Sequence, residues 1–123
     1  GGHKGLGILN GNIKKIPINS SSKLKAVRKV PFIGWSRINK CNEENLCSWR
    51  EKPLSLIPNS TPMYFVHSYY ADVTGDIVSS STNYGDFNCC GSISYKNIFA
   101  CQFHPERSGT TGIKIYENFK KTL

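Results

Sequence analysis

The stretch Ile98–Ser108, with the sequence IFACQFHPERS, decides how this chain folds and what chemistry it can carry. A largely apolar run leads directly into a His-Pro-Glu sequence. Alternate residues of a strand share one face of a sheet, and we expect the apolar run to form a buried strand. Pro105 cannot donate a hydrogen bond to a neighbouring strand. The sequence therefore predicts that the strand ends at Pro105 and presents His104 at its tip.

The spacing of His104 and Glu106 indicates a particular chemistry. The two side chains return to the same side of the chain around the intervening proline. A carboxylate in that position accepts a hydrogen bond from one imidazole nitrogen and fixes the tautomer of the ring. The other nitrogen is then free to act as a base. A histidine and a carboxylate in this arrangement are two of the three members of a nucleophilic triad. The alternative is a surface histidine and a surface glutamate in a strand-to-helix loop.

The pattern F-x-x-Q-F-H-P-E-x-S, which ends at Ser108, resembles the signature of class I (triad-type) glutamine amidotransferases. Residues 4–9 (KGLGIL), 29–35 (KVPFIGW) and 64–70 (YFVHSYY) occur in the order expected of one subfamily. That subfamily is the glutaminase subunit of imidazole glycerol phosphate synthase, together with its close relatives. The resemblance covers nearly the whole chain and is weakest over residues 40–62.

The resemblance implies a Cys-His-Glu triad that hydrolyses glutamine to glutamate and ammonia without a cofactor or a metal. His104 would be the base and Glu106 would orient it. Ser68 and Tyr69, which follow an apolar strand, would contact the substrate glutamine. His67 beside them is either a hydrogen-bonded structural histidine or a part of the same pocket.

The same resemblance implies a partner protein that uses the ammonia. The acceptor would be a synthase (cyclase) subunit of (β/α)8 type in histidine biosynthesis. Phe32 stands where the family often has histidine in P-H-x-G-W. A related amidotransferase for surface-sugar biosynthesis therefore stays open as an alternative.

The nucleophile of the family lies in a G-x-C-x-G turn between a strand and a helix. Such an elbow exposes the sulfur and places backbone N–H groups near the developing oxyanion. Cys101 precedes His104 on the opposite strand face, and the other cysteines lie in a hairpin or a polar loop: Cys41, Cys47, Cys89 and Cys90. In the family the elbow comes upstream of residues 4–9. We therefore expect residues 1–123 to be a single partial domain, the C-terminal part of a longer amidotransferase. Without the nucleophile, this part alone is expected to be inactive.

Composition restricts the remaining function classes. The chain has 123 residues, enough for one domain at most. Its net charge is +8, but the basic residues are scattered, and no aromatic RNA-binding signature or helix-turn-helix pattern accompanies them. We expect no nucleic-acid partner. Two rivals remain, namely a non-catalytic module that binds through a basic face and a different Cys-His hydrolase of related α/β fold.

The five cysteines have no paired C-x2-C spacing typical of zinc sites. They predict free thiols in a reducing cytoplasm, with no metal site. No apolar run approaches the ~20 residues that span a bilayer, so we also expect no membrane association.

The chain is expected to be α/β, strand-rich with a C-terminal helix; the resemblance implies part of a flavodoxin-like domain. Strands are predicted at residues 6–9, 13–18, 24–35, 63–66 and 77–82, followed by a hairpin of 87–95 and 98–103. Residues 54–57 predict a short helix or turn packed on the core. From Ser108 onwards, apolar residues recur every three or four positions, which predicts a helix. Ser108 or Thr111 is a possible cap of this helix. The residues that define this period are Gly112, Ile113, Tyr116, Phe119 and Leu123.

Overall fold

The structure is a computed structural model and describes residues 2–19, 28–41 and 52–122. It contains seven strands, two short 3-10 turns and one helix. The strands are β1 (Asn12–Lys15), β2 (Phe32–Lys40), β3 (Thr61–His67), β4 (Tyr69–Asp72), β5 (Val78–Tyr84), β6 (Phe87–Tyr95) and β7 (Ile98–Cys101). The 3-10 turns are Gly75–Ile77 and Pro105–Arg107, and the helix, α1, is Gly109–Thr122. The predicted strand-rich α/β fold with a C-terminal helix is confirmed.

Five strands form the main sheet in the order β3-β2-β5-β6-β7, and β1 pairs with β4 in a separate two-stranded sheet. Every pairing among the described residues is antiparallel. Ile38 on β2 is fully buried and lies between Thr61 of β3 and Thr82 of β5.

The core lies against one face of the main sheet. Along β3 the residues alternate strictly, with Met63 and Phe65 fully buried and Pro62 and Val66 exposed. This alternation is expected of a strand with one face turned to the core. The buried apolar side chains of the core cluster are Ile16, Phe32, Ile38, Leu54, Ile57, Met63, Phe65, Phe103 and Ile115.

Several sequence predictions need correction. Residues 6–9 form no strand, and the side chains of Leu6 and Ile8 are exposed. The predicted strand at 13–18 is shorter and lies at Asn12–Lys15. The predicted strand at 24–35 begins only at Phe32, and residues 24–27 lie outside the described residues. The turn at residues 53–56, with Leu54 and Ile57 buried, agrees with the prediction for that segment.

The strand that leads to His104 ends earlier than predicted. The β6–β7 hairpin is present, but β7 stops at Cys101, and none of its residues is fully buried. The main-chain N–H of Gln102 still donates to the Gly91 carbonyl of β6 at 2.8 Å. The N–H of His104 instead donates to the Tyr64 carbonyl of β3 at 2.8 Å. The chain therefore crosses from β6 towards β3 before Pro105 is reached.

Ser108 joins the turn after His104 to β3. Its hydroxyl donates to the His104 carbonyl at 2.6 Å and accepts from the Tyr64 N–H at 3.0 Å. Together with the His104–Tyr64 bond, these contacts tie both main-chain polar groups of Tyr64 to the turn. We call residues 104–108 with Tyr64 the base clamp. Ser108 precedes the first residue of α1, but its hydroxyl makes these bonds instead of the predicted cap.

Helix α1 contacts the base clamp through a glycine. Gly112 and Ile115 are the buried residues of the helix, whereas Ile113 and Tyr116 of the predicted apolar set are about half exposed. A Cβ atom placed on Gly112 would lie 2.2 Å from the Pro105 carbonyl oxygen and 2.7 Å from Ser108 Cβ. Only a residue without a side chain allows the helix to approach the turn this closely.

No helix in the described parts of the chain combines the length and the apolar character that crossing a membrane requires.

We predict that Gly112→Ala destabilises the protein, although alanine ordinarily favours a helix by about 1 kcal/mol over glycine. The new methyl group must displace the Pro105 carbonyl, and overpacking of this kind costs about 1–3 kcal/mol. Chemical denaturation followed by circular dichroism measures the change. Lys114→Ala, at an exposed position of the same helix, is the control. An increase in the free energy of unfolding for Gly112→Ala would contradict the close packing.

We also predict that Ser108→Ala lowers the free energy of unfolding by about 1–3 kcal/mol, because it leaves the Tyr64 N–H without its acceptor. The matched control is Ser94→Ala on β6. Amide hydrogen exchange at Tyr64 should accelerate in Ser108→Ala and stay unchanged in the control. Equal stability of the two variants would show that the clamp does not depend on this hydroxyl.

Candidate functional site

The structure places His104 and Glu106 in direct contact. His104 Nδ1 lies 2.8 Å from Glu106 Oε1, and the two side chains are 41% and 50% exposed. The predicted hydrogen-bond reach between the two side chains is therefore confirmed. His104 follows β7 by three residues, and Glu106 lies in the 3-10 turn Pro105–Arg107.

The contact fixes which nitrogen of His104 can do chemistry. With the carboxylate ionised, Nδ1 is the protonated nitrogen and donates to Glu106. Among the described residues, Nε2 of His104 has no hydrogen-bond partner and its ring is accessible. The arrangement presents a lone pair that can accept a proton, with a carboxylate behind it to stabilise the imidazolium.

Glu106 is held by more than the histidine. The main-chain N–H of Glu106 itself, and then the His104 side chain, lower the pKa of the Glu106 carboxyl. Tyr116 of α1 donates its hydroxyl to the second carboxylate oxygen, Oε2, at 3.2 Å. The helical period of the sequence predicts Tyr116 on an apolar face and gives no sign of this contact. Its position four residues after the closely packed Gly112 brings it over the turn.

The segment that follows β3 contains the predicted substrate residues. Ser68 links β3 to β4, and its carbonyl accepts a hydrogen bond from the Ile16 N–H at 2.9 Å. Tyr69 begins β4, and its side chain is 54% exposed. The four positions from Tyr64 to Ser68 span roughly 13 Å of strand. No hydrogen bond or ion pair among the described residues joins Ser68 or Tyr69 to the His104–Glu106 pair.

His67 is a buried histidine beneath this segment. It is 8% exposed, and its Nδ1 lies 2.8 Å from the Tyr69 carbonyl, to which it donates. Its ring lies among Phe32 and Phe65, and Nε2 is buried without a partner among the described residues. Burial lowers the pKa of His67 below its ordinary value. A hydrogen-bonded structural histidine, one of the two alternatives, agrees with this geometry.

Three of the four described cysteines are poorly suited to act as nucleophiles. Cys41, Cys89, Cys90 and Cys101 are free thiols, and Cys47 lies outside the described residues. Burial raises the pKa of the Cys89 and Cys101 thiols to about 11 and that of Cys90 to about 12. The thiolate is the reactive form of cysteine, so these three thiols are largely unreactive at neutral pH. In the parts of the chain that the structure covers, no group of three or more metal-binding side chains is arranged around one point.

The chain is similar to known proteins over nearly its whole length. Residues 12–122 match the family model described as glutamine amidotransferase class-I. Similar proteins include a subunit named imidazole glycerol phosphate synthase subunit HisH 1 from Methanococcus maripaludis, 37% identical over 97% of this chain and 51% of the relative. Relatives named subunit HisH from Synechocystis and Methanocaldococcus jannaschii are 34% and 39% identical, over 100% and 99% of this chain and 53% and 54% of their own.

The chain therefore spans about half the length of the curated relatives that it matches. The family match extends over most of the chain and includes the base clamp and the segment with Ser68 and Tyr69. Both the strand-rich fold and the contact of His104 with Glu106 agree with the predictions from the sequence. This chain belongs to the class I glutamine amidotransferase family.

Proposed function

We propose that this chain supplies the base and its orienting acid to the glutaminase subunit of an imidazole glycerol phosphate synthase in histidine biosynthesis. The observation that supports this most directly is the 2.8 Å contact between His104 Nδ1 and Glu106 Oε1, with Nε2 left accessible. The names of the relatives support the choice of synthase.

In the proposed reaction, Nε2 of His104 takes the proton from a cysteine thiol. The thiolate attacks the side-chain amide of glutamine, and the carboxylate of Glu106 stabilises the imidazolium that forms. His104 then protonates the departing ammonia, and water releases glutamate from the thioester. The segment with Ser68 and Tyr69 contacts the glutamine.

The nucleophile is proposed to be a cysteine in a G-x-C-x-G elbow outside these 123 residues. The high pKa values of Cys89, Cys90 and Cys101 support this assignment. None of these three lies in a strand-to-helix turn, because Cys89 and Cys90 are inside β6 and Cys101 ends β7.

The proposed partner is the synthase (cyclase) subunit of (β/α)8 type, which consumes the ammonia. The names of the relatives describe them as subunits, which supports a partner of this kind. The free thiols of the four described cysteines support a reducing, cytoplasmic setting.

We predict that the 123-residue chain alone hydrolyses no glutamine, with or without the synthase subunit, because the proposed nucleophile lies outside it and the thiols of Cys89, Cys90 and Cys101 stay protonated at neutral pH. The full-length protein should release glutamate when the synthase subunit is bound. Glutamate release measured by a coupled dehydrogenase assay distinguishes the two. Turnover by the 123-residue chain would show that one of its own cysteines is the nucleophile.

We predict that His104→Ala in the full-length protein abolishes glutamine hydrolysis, because no other group of the site can deprotonate the thiol. Glu106→Gln should retain more activity, although neutralising the orienting acid of a triad lowers kcat by about 10⁴-fold in a well-studied protease. Steady-state kinetics with glutamine measures both effects.

Matched controls are His3→Ala and Glu117→Gln, which make the same chemical changes at exposed positions. Both controls should keep wild-type kcat. A wild-type rate for His104→Ala would remove the triad assignment, whereas loss of activity in the controls would indicate a general effect on folding.

A further inference from the structure

Each oxygen of the Glu106 carboxylate has its own partner. Oε1 accepts from His104 Nδ1 at 2.8 Å, and Oε2 accepts from the Tyr116 hydroxyl at 3.2 Å. The carboxylate thus bridges a histidine of the base clamp and a tyrosine of α1. The titratable groups that face it are His104 of the same turn, Tyr116 of α1 and Cys101 of β7. Tyr64 of β3 contacts the turn through its main-chain N–H and carbonyl groups.

The position of Tyr116 follows from the packing of α1. Residues four apart lie on the same side of a helix, and side chains lean towards its N-terminus. Tyr116 therefore leans back over Gly112, where the helix contacts the Pro105 carbonyl. The ring reaches the turn because no side chain at Gly112 separates the two.

A second donor matters because Glu106 is half exposed. A glutamate side chain has several rotatable bonds and loses rotamer freedom when it is fixed in one orientation. One hydrogen bond to a neighbouring histidine leaves the carboxylate free to turn towards water. A second bond from a different element, to the other oxygen, restricts the rotation that would release His104.

The protonation states suit this arrangement. Partial desolvation, and then the charge of Glu106, raise the pKa of Tyr116 above its ordinary value. Tyr116 therefore remains a donor at neutral pH. Its hydroxyl also helps to keep the pKa of the Glu106 carboxyl below its ordinary value.

We propose that Tyr116 is a positioning residue for the glutaminase reaction. Its hydroxyl holds Glu106 in the orientation that accepts from His104 Nδ1, so that Nε2 of His104 faces the nucleophile. This inference rests on the proposed function and adds a fourth group to the Cys-His-Glu triad, one that acts through Glu106 and does not touch the substrate.

The test uses Tyr116→Phe in the full-length protein bound to its synthase subunit. We expect kcat for glutamine hydrolysis to fall about 3- to 10-fold, as for loss of one hydrogen bond, with KM for glutamine unchanged. Tyr95→Phe is the matched control, because the Tyr95 hydroxyl lies on β6 and makes no hydrogen bond with the described residues. The control should keep the wild-type kcat.

A double-mutant cycle separates positioning from a general effect on the fold. In a Glu106→Ala background, Tyr116→Phe should lower kcat no further, because the group through which it acts is gone. A fall of the same size in both backgrounds, a change confined to KM, or a Tyr116→Phe enzyme equal to wild type would overturn the proposal.

A titration independent of activity completes the test. In protein with ¹³C-labelled glutamate, the pKa of the Glu106 carboxyl should be higher in Tyr116→Phe than in the wild type. An unchanged pKa would overturn the contact itself. If the wild-type protein does not hydrolyse glutamine, the proposed function fails, and this titration alone decides whether Tyr116 holds Glu106.

Discussion

The site depends on two main-chain hydrogen bonds at one residue of β3. The carbonyl of Tyr64 accepts from the N–H of His104, and its N–H donates to the hydroxyl of Ser108. Through them, β3, at one edge of the main sheet, fixes the path of a solvent-accessible turn. Among the described residues, the bond from the Gln102 N–H to the Gly91 carbonyl is the last main-chain bond of this segment to β6, and the bonds to Tyr64 direct the chain beyond it. The sheet therefore holds the main chain of His104 in place.

The His104–Glu106 pair is built for orientation and not for stability. A polar contact between two side chains as exposed as these contributes little to the free energy of folding. The core that supports them contains Phe65 and Phe103, whose rings pack edge to face at 5.8 Å. Phe103 directly precedes His104 and is nearly fully buried. Apolar packing therefore places the backbone, hydrogen bonds set the direction of the turn, and the carboxylate of Glu106 selects the tautomer of His104.

The sequence predicts local features of this site well and long-range ones poorly. The contact of His104 with Glu106 is predictable because the two residues lie on either side of one proline. The β6–β7 hairpin and the existence of α1 follow from alternation and from a change of period. The early end of β7 was not predictable, because it results from a bond to Tyr64, which lies 40 positions away in the chain. Tyr116 was missed because an aromatic ring on a helix is ordinarily counted as apolar, and its hydroxyl finds a partner only after the helix has packed.

The high pKa of three thiols has a practical consequence for labelling this protein. Cys89, Cys90 and Cys101 carry protons that burial makes hard to remove. Alkylating reagents attack the thiolate, so these three sulfurs react slowly at neutral pH while the chain is folded. A triad cysteine, activated by an adjacent base, reacts much faster. In the proposed glutaminase, a limiting dose of an electrophilic glutamine analogue would therefore label the triad cysteine before these three, and the label would count competent sites in a mixed preparation.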